Sequence, residues 1–312
     1  MAEADTVTEA QMRNVDFHFA PRIVMHIRRL RGQMLRTDPS RVVVFDDVNS
    51  FALKIASAEV GLAPSDLEHL MNGYVFAYKG APLSRMRFAI RGTQLEQSGV
   101  LHKVIDIPFD MRATLSVTPQ GLIRIHPTSM KICSLNGLGL MRAVGIKLQS
   151  MLDLSKARGV SVEGNDLLLD PEHLLPPPAV RGHPTAVRVA DGEVVFVYGD
   201  TVAAGAGAND LALPDSTEPN YMLFRGGTVR FGKLYMVRTD LMIVDAHPAD
   251  PFDFSIRDYN RQLVAGYTKN LPDYGLESHM PDWGPLVAGR GARADSAPPS
   301  PAMPPGLVSP RR

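Results

Sequence analysis

The feature that most constrains this chain is a run of strict alternation over residues 105–117. Ile105, Ile107, Phe109, Met111, Ala113, Leu115 and Val117 are apolar, and Asp106, Pro108, Asp110, Arg112, Thr114 and Ser116 separate them. Successive side chains on a strand point to opposite faces, so the pattern describes a strand with one dry face and one wet face. At about 3.3 Å per residue it is about 43 Å long, where ordinary strands have about 5–6 residues. A dry face of that length needs a cover, from a second sheet or from helices.

The rest of the chain supplies both. Pro119-Gln120-Gly121 marks a turn, after which 122–132 alternates again through Ile123 and Ile125. A second hairpin runs through Val187 and Val189, turns at Asp191-Gly192 and returns through Val195 and Val197. Further strands are predicted at Phe51-Leu53-Ile55, at Met86-Phe88-Ile90, and around Val229, Phe231, Met236 and Ile243. Hairpin spacing of this kind predicts an antiparallel sheet.

Two helices are predicted. Ser65-Asp66-Leu67-Glu68 reads as a capping box, with the hydroxyl on an early amide and Glu68 reaching back. Leu67, Leu70, Met71, Tyr74 and Val75 then form an apolar stripe at helical spacing. The second helix is predicted over about 137–155, with Leu138, Met141, Val144, Leu148, Met151 and Leu152 on one side. Within Val162–Pro178, Asn165-Asp166 suits a turn, Leu167-Leu168-Leu169 a short buried strand, and Asp170 a cap for a helical turn begun by Pro171.

Composition narrows the function. Lys plus Arg and Asp plus Glu both number 33, so the net charge is zero. Nucleic acid is therefore not expected as a partner, because phosphate binding draws on a surplus of cations. The densest basic group is Arg22, His26, Arg28, Arg29 and Arg31, either a headgroup contact or a solvated strand face. A lone Cys133 in an apolar run cannot form an internal disulfide and reads as a buried thiol. No segment approaches the roughly 20 apolar residues that span a bilayer. The start, MAEADTVTEAQMRN, has no apolar h-region, so the protein is expected in the cytoplasm unless its targeting segment is absent from this chain.

No phosphate loop, HExxH, CxxC or GxSxG pattern occurs, and no catalytic residue or cofactor is expected. Asp245, His247, Asp250 and Asp253 are dense enough to suggest a hard metal, but Pro248 and Pro251 fit a solvated turn better, so no metal site is expected either. The 15 methionines suit either core filling or a surface that adapts to variable apolar shapes.

The segments VTPQGLIRIHPTSMKI, GVSVEGNDLLLDPEHLLPPPAVRG and HPTAVRVADGEVVFVYG, in that order around an amphipathic helix, resemble the bacterial LmeA-like family. That family is similar to the tubular lipid-binding superfamily, with bactericidal permeability-increasing protein and the synaptotagmin-like mitochondrial lipid-binding domains. The resemblance covers roughly residues 50–200. It implies an α+β fold, an elongated and strongly curved antiparallel sheet wrapped around amphipathic helices, holding lipid in the bacterial envelope or periplasm. The stretch 220–285 extends beyond the usual family domain.

The resulting expectation is a carrier or binder of lipid or phospholipid, with a membrane surface as a further partner. Its apolar groove is expected to be lined by Leu67, Leu70, Met71, Tyr74 and Val75, by Ile105, Ile107, Phe109, Met111 and Leu115, and by Leu138, Met141, Leu148 and Met151. The alternatives are an envelope protein with a filled core that binds a partner, and an esterase acting on lipid. The expected organisation is a flexible N-terminus over 1–14, a lipid-binding-like domain over 15–199, and a flexible loop over 200–219. A β-rich extension of the same domain follows over 220–287, then a Pro-rich disordered tail over 288–312.

Overall fold

The computed structural model describes residues 7–103, 105–132, 135–136, 147–199, 216–271 and 275–287. The fold is β-rich, with 57% of the described residues in strands and only short helices between them. Its strands form two open sheets, one inserted in the other along the chain.

The first sheet begins with β1 (Thr8–Ala20), β2 (Ile23–Arg36), β3 (Val43–Val44) and β4 (Phe51–Leu62). The chain then leaves it through helix α1 (Pro64–Leu70) and a π-turn, Met71–Val75. It builds the second sheet from β5 (Leu83–Arg91), β6 (Gln94–His102), β7 (Asp106–Val117), β8 (Ile123–Ile132), β9 (Leu135–Asn136), β10 (Val160–Glu163) and β11 (Asp166–Leu169), with helix α2 (Leu148–Met151) between β9 and β10. After helix α3 (Pro171–Leu174) it returns to the first sheet with β12 (Ala179–Arg181), β13 (Pro184–Ala190), β14 (Glu193–Tyr198), β15 (Tyr221–Phe231), β16 (Leu234–Asp245) and β17 (Phe252–Ser255). Helix α4 (Tyr259–Ala265), β18 (Tyr267–Asn270), β19 (Leu276–Met280) and helix α5 (Trp283–Val287) complete the described chain.

The first sheet runs β13-β14-β4-β2-β1-β15-β16-β19-β18, and the second β10-β11-β8-β7-β6-β5. Most neighbours are antiparallel hairpins, as expected. Asp191 and Gly192 both take positive φ (55° and 79°), the pair of values that a two-residue hairpin needs. The first sheet also changes partners along its length. Glu9–Arg13 of β1 pair with β15, then Asn14 takes a φ of 52°, and Val15–His18 pair in parallel with β17. Bulges on β2 at Ile27/Arg29 and Arg31/Gly32 bend the pair it makes with β4. Gly32 permits this approach, because a Cβ there would meet the Lys54 carbonyl oxygen at 2.5 Å.

Three expectations need correction. The N-terminus is not a flexible segment to residue 14, because β1 starts at Thr8 and Ala10 is fully buried. Ser65 caps no helix: α1 starts at Pro64 behind Ala63, with no side-chain cap. The acids of that motif serve the sheets instead. Asp66 accepts from the Val24 amide at 2.9 Å and Glu68 from the Phe88 amide at 3.1 Å, so α1 is pinned to β2 on one side and β5 on the other. The second helix is short: its described part spans Leu148–Met151, and Leu152 is already extended (φ −111°, ψ 123°). Residues 137–146 of that prediction, the loop over 200–215 and the tail 288–312 lie outside the described residues.

Candidate functional site

The inner face of the first sheet and the two connecting helices enclose an apolar cavity of about 100 Å³. Met12, Phe17 and Phe19 enter it from β1, and Met25, Ile27 and Met34 from β2. Leu67, Leu70 and Met71 close it from α1 and the π-turn, Pro171 and Leu174 from α3. A second cavity of about 40 Å³ lies against the second sheet, lined among others by Met86, Phe88 and Leu115. Leu67, Met71, Ile123, Leu169 and Phe196 line both, so the two spaces lie on either side of one shared wall, in the apolar seam between the sheets. Tyr198 brings the only phenol to the first cavity. Burial, with the charges of Glu172 and Asp170 nearby, raises it far above the usual tyrosine value and keeps it neutral.

The structure gathers some of the predicted lining residues and scatters others. Leu67, Leu70 and Met71 sit on the first cavity, and Leu115 reaches the smaller one. Val75, Met111 and Leu148 are buried but line neither space, and Tyr74 stands half-buried beneath Arg158, whose guanidinium donates to its hydroxyl at 3.1 Å. Ile107 and Phe109 are half-buried, while Ile105 is 68% exposed and cannot line an interior. Leu138, Met141 and the Met151 side chain lie outside the described residues. What sequence reasoning missed is β1 and β2. Their methionines and phenylalanines alternate with polar residues in two shorter runs on each strand, interrupted at Arg13-Asn14 and at Arg28-Arg29. The charges among them drew attention to the wet face alone.

That wet face is no free basic patch. Arg28 contacts Glu59 at 3.1 Å, Asp191 at 2.9 Å and Glu193 at 3.4 Å, Arg29 reaches Glu59 at 3.6 Å, and His26 bonds Glu193. Partial burial pushes Glu59 up, but hydrogen bonds from Arg28 and Arg188 outweigh it and hold the carboxyl below its ordinary value. The acidic stretch from Asp245 is likewise consumed by structure. Asp245 accepts from Asn220 at 2.9 Å and from the His247 amide at 2.8 Å, and Asp253 accepts from the Gly284 amide at 2.8 Å and pairs with His18. No grouping of potential metal ligands occurs among the described residues.

One polar constellation was illegible in the sequence. Ser84 Oγ lies 2.6 Å from His102 Nε2, and His102 Nδ1 lies 2.6 Å from Asp106 Oδ1. Register brings them together: Ser84 pairs with Val100 and His102 with Asp106, so all three fall on one face. The neighbouring Arg85 has a φ of 51° at a bulge, and its guanidinium stands 3.6 Å from Asp106. The carboxylate is 62% exposed, so water weakens its hold on the imidazole.

No protein-family model, curated protein or solved structure matches this chain. No helix among the described residues is long and apolar enough to cross a membrane.

Proposed function

We propose that the chain binds a lipid, or another elongated apolar molecule, in the seam between its two sheets, as a tubular lipid-binding protein of LmeA-like type serving the bacterial envelope. The observation that supports this is a pair of apolar cavities that share Leu67, Met71, Ile123, Leu169 and Phe196 as a common wall, with almost no polar group on the lining. With Tyr198 and Gln97 as the polar side chains on the two linings, the space favours an apolar guest over water. The first cavity is smaller than the roughly 300–1,000 Å³ of ordinary ligand pockets, so an acyl chain must displace side chains as it enters. Met12, Met25, Met34 and Met71 are suited to that, since methionine refills irregular space at small cost. In this reading α1, pinned to both sheets, is the hinge across which the curved walls close on the guest. The test is organic extraction of the purified protein followed by mass spectrometry. Lipid at near-stoichiometric yield is the expected result. A delipidated protein that takes up neither a fluorescent fatty acid nor phospholipid would end the proposal.

A second reading, hydrolysis of an acyl ester, is favoured by the order hydroxyl, imidazole, carboxylate at Ser84, His102 and Asp106. The Ser84 oxygen would attack the ester carbonyl as His102 takes its proton and returns it to the leaving alcohol; water would then release the acid by the same relay. A fluorophosphonate probe decides it. Labelling of Ser84 that disappears in His102→Ala supports the reading, and an unlabelled folded protein excludes it.

A further inference from the structure

The turn joining β15 to β16 has properties found nowhere else among the described residues. Among the described residues seven large hydrophobic side chains are exposed, and three of them, Leu234 (43%), Tyr235 (56%) and Val237 (67%), stand within four positions on this hairpin. Scattered exposed apolar residues are ordinary, but a cluster is not. Arg230, Lys233 and Arg238 are interleaved with them, all exposed and without an ion pair among the described residues. On the wet face of β2, by contrast, Arg28 and Arg29 are held by carboxylates.

The hairpin is anchored from behind and bare in front. Phe231 packs on Phe45 and Tyr259 at ring separations of 4.2 and 4.5 Å. The Gly232 amide donates to Asp46 at 2.8 Å, and the Tyr259 hydroxyl donates to the same carboxylate at 2.7 Å. Asp46, the nearby acid, stays exposed, but the Gly232 amide, the Tyr259 hydroxyl and the Asn260 side-chain amide all donate to its carboxylate. Gly232 takes a φ of 59° at the first turn position, where this type of hairpin places glycine. β19 pairs with β16 only from Leu241 to Asp245, so Leu234–Asp240 project past it. Tyr235 sits opposite Arg230 in the register, which sets a phenol beside a cation on the projecting part.

We infer that this hairpin is the docking element for an anionic bilayer surface. Cations without partners are attracted to a negative leaflet, an aromatic ring with a polar tip sits at headgroup depth, and Leu234 and Val237 insert just below. The anchored base means that little order is lost on docking. The inference deepens the proposed lipid function, but it stands on separate residues: vesicle binding reads the hairpin and lipid extraction reads the interior, so either can fail alone.

The experiment is flotation of the full chain with phosphatidylcholine vesicles, with and without phosphatidylglycerol. Binding is expected only with the anionic lipid, and it should fall as salt rises. Each cation is worth about fivefold in partitioning, so Arg230→Gln with Lys233→Gln should weaken binding about 25-fold. Tyr235→Ser with Val237→Ser should abolish it at an unchanged melting temperature, since these side chains support no core. Equal binding to both vesicle types, no binding to either, or variants that bind like the parent would overturn the inference. So would concentration-dependent self-association lost in the Tyr235→Ser, Val237→Ser protein, which would make the patch a contact between two copies.

Discussion

The two sheets carry the same kind of strand and treat it differently. On β1 and β2 of the first sheet nearly every inward residue, from Ala10 through Phe17 to Leu30 and Met34, is buried. On β7 of the second sheet only Met111 and Ala113 are, while Ile107, Phe109, Leu115 and Val117 keep partial access to water. The alternation is unbroken on β7 and slips by one residue on β1 at Arg13-Asn14 and on β2 at Arg28-Arg29, yet the better buried faces are those of β1 and β2. The difference lies in what stands opposite. The first sheet faces α1, α3 and an aromatic cluster in which Phe45 packs against Phe51, Phe224, Phe231, Phe254 and Tyr259. A period of two therefore identifies a face and leaves its cover undetermined.

The largest effect should separate the sheets directly. Phe254→Ala, in the aromatic cluster, should cost about 3–5 kcal/mol, and Phe109→Ala, half in water already, about 1 kcal/mol. Urea midpoints measure both, and equal losses would break the comparison. Acidity gives the next contrast, at the β19 end of the first sheet. Burial, together with Asp245, Asp253 and Asp250, raises Asp282 from 3.8 to about 6 against the Asp253 amide that hydrogen-bonds it. The folded chain thus keeps a proton that an unfolded Asp releases. Stability should fall as pH rises from about 4 to about 6 and then level off. Asp282→Asn should remove that slope and stabilise the protein by about 1–2 kcal/mol at pH 7, since partial exposure screens some of the shift, read as melting temperature against pH.

Tryptophan substitution sharpens the comparison within the interior. Met111→Trp, in a packed site, should cost about 1–3 kcal/mol by overpacking. Met71→Trp, facing both cavities, should cost less than about 1 kcal/mol and lower bound lipid severalfold. Similar losses at both, with no lipid in the parent, would mean that the seam is ordinary core. The smallest effects concern the caps. The Asp170 carboxylate accepts from the Glu172 amide at 3.0 Å, so Asp170→Ala should lose about 1 kcal/mol. Ser65→Ala should stay within about 0.5 kcal/mol, because that hydroxyl caps nothing.

Much of this molecule is local and was readable from the sequence. The turn at Asp191-Gly192, the short strand through Leu167-Leu168-Leu169, the Asp170 cap and the stripe of Leu67, Leu70 and Met71 each depend on residues a few positions apart, whose backbone preferences and side-chain periodicity act without distant partners. The tertiary structure decided the rest. It converted Glu68 from a cap into a clamp on Phe88, left Ile105 in water, and set the Asp46 carboxylate against the amide of the Gly232 turn. It also set Ser84 beside His102, and made one seam from Met12, Met71 and Leu169. Periodicity fixes the side on which a residue lies, whereas its partner depends on register and on which element packs opposite, and those depend on residues up to two hundred positions away.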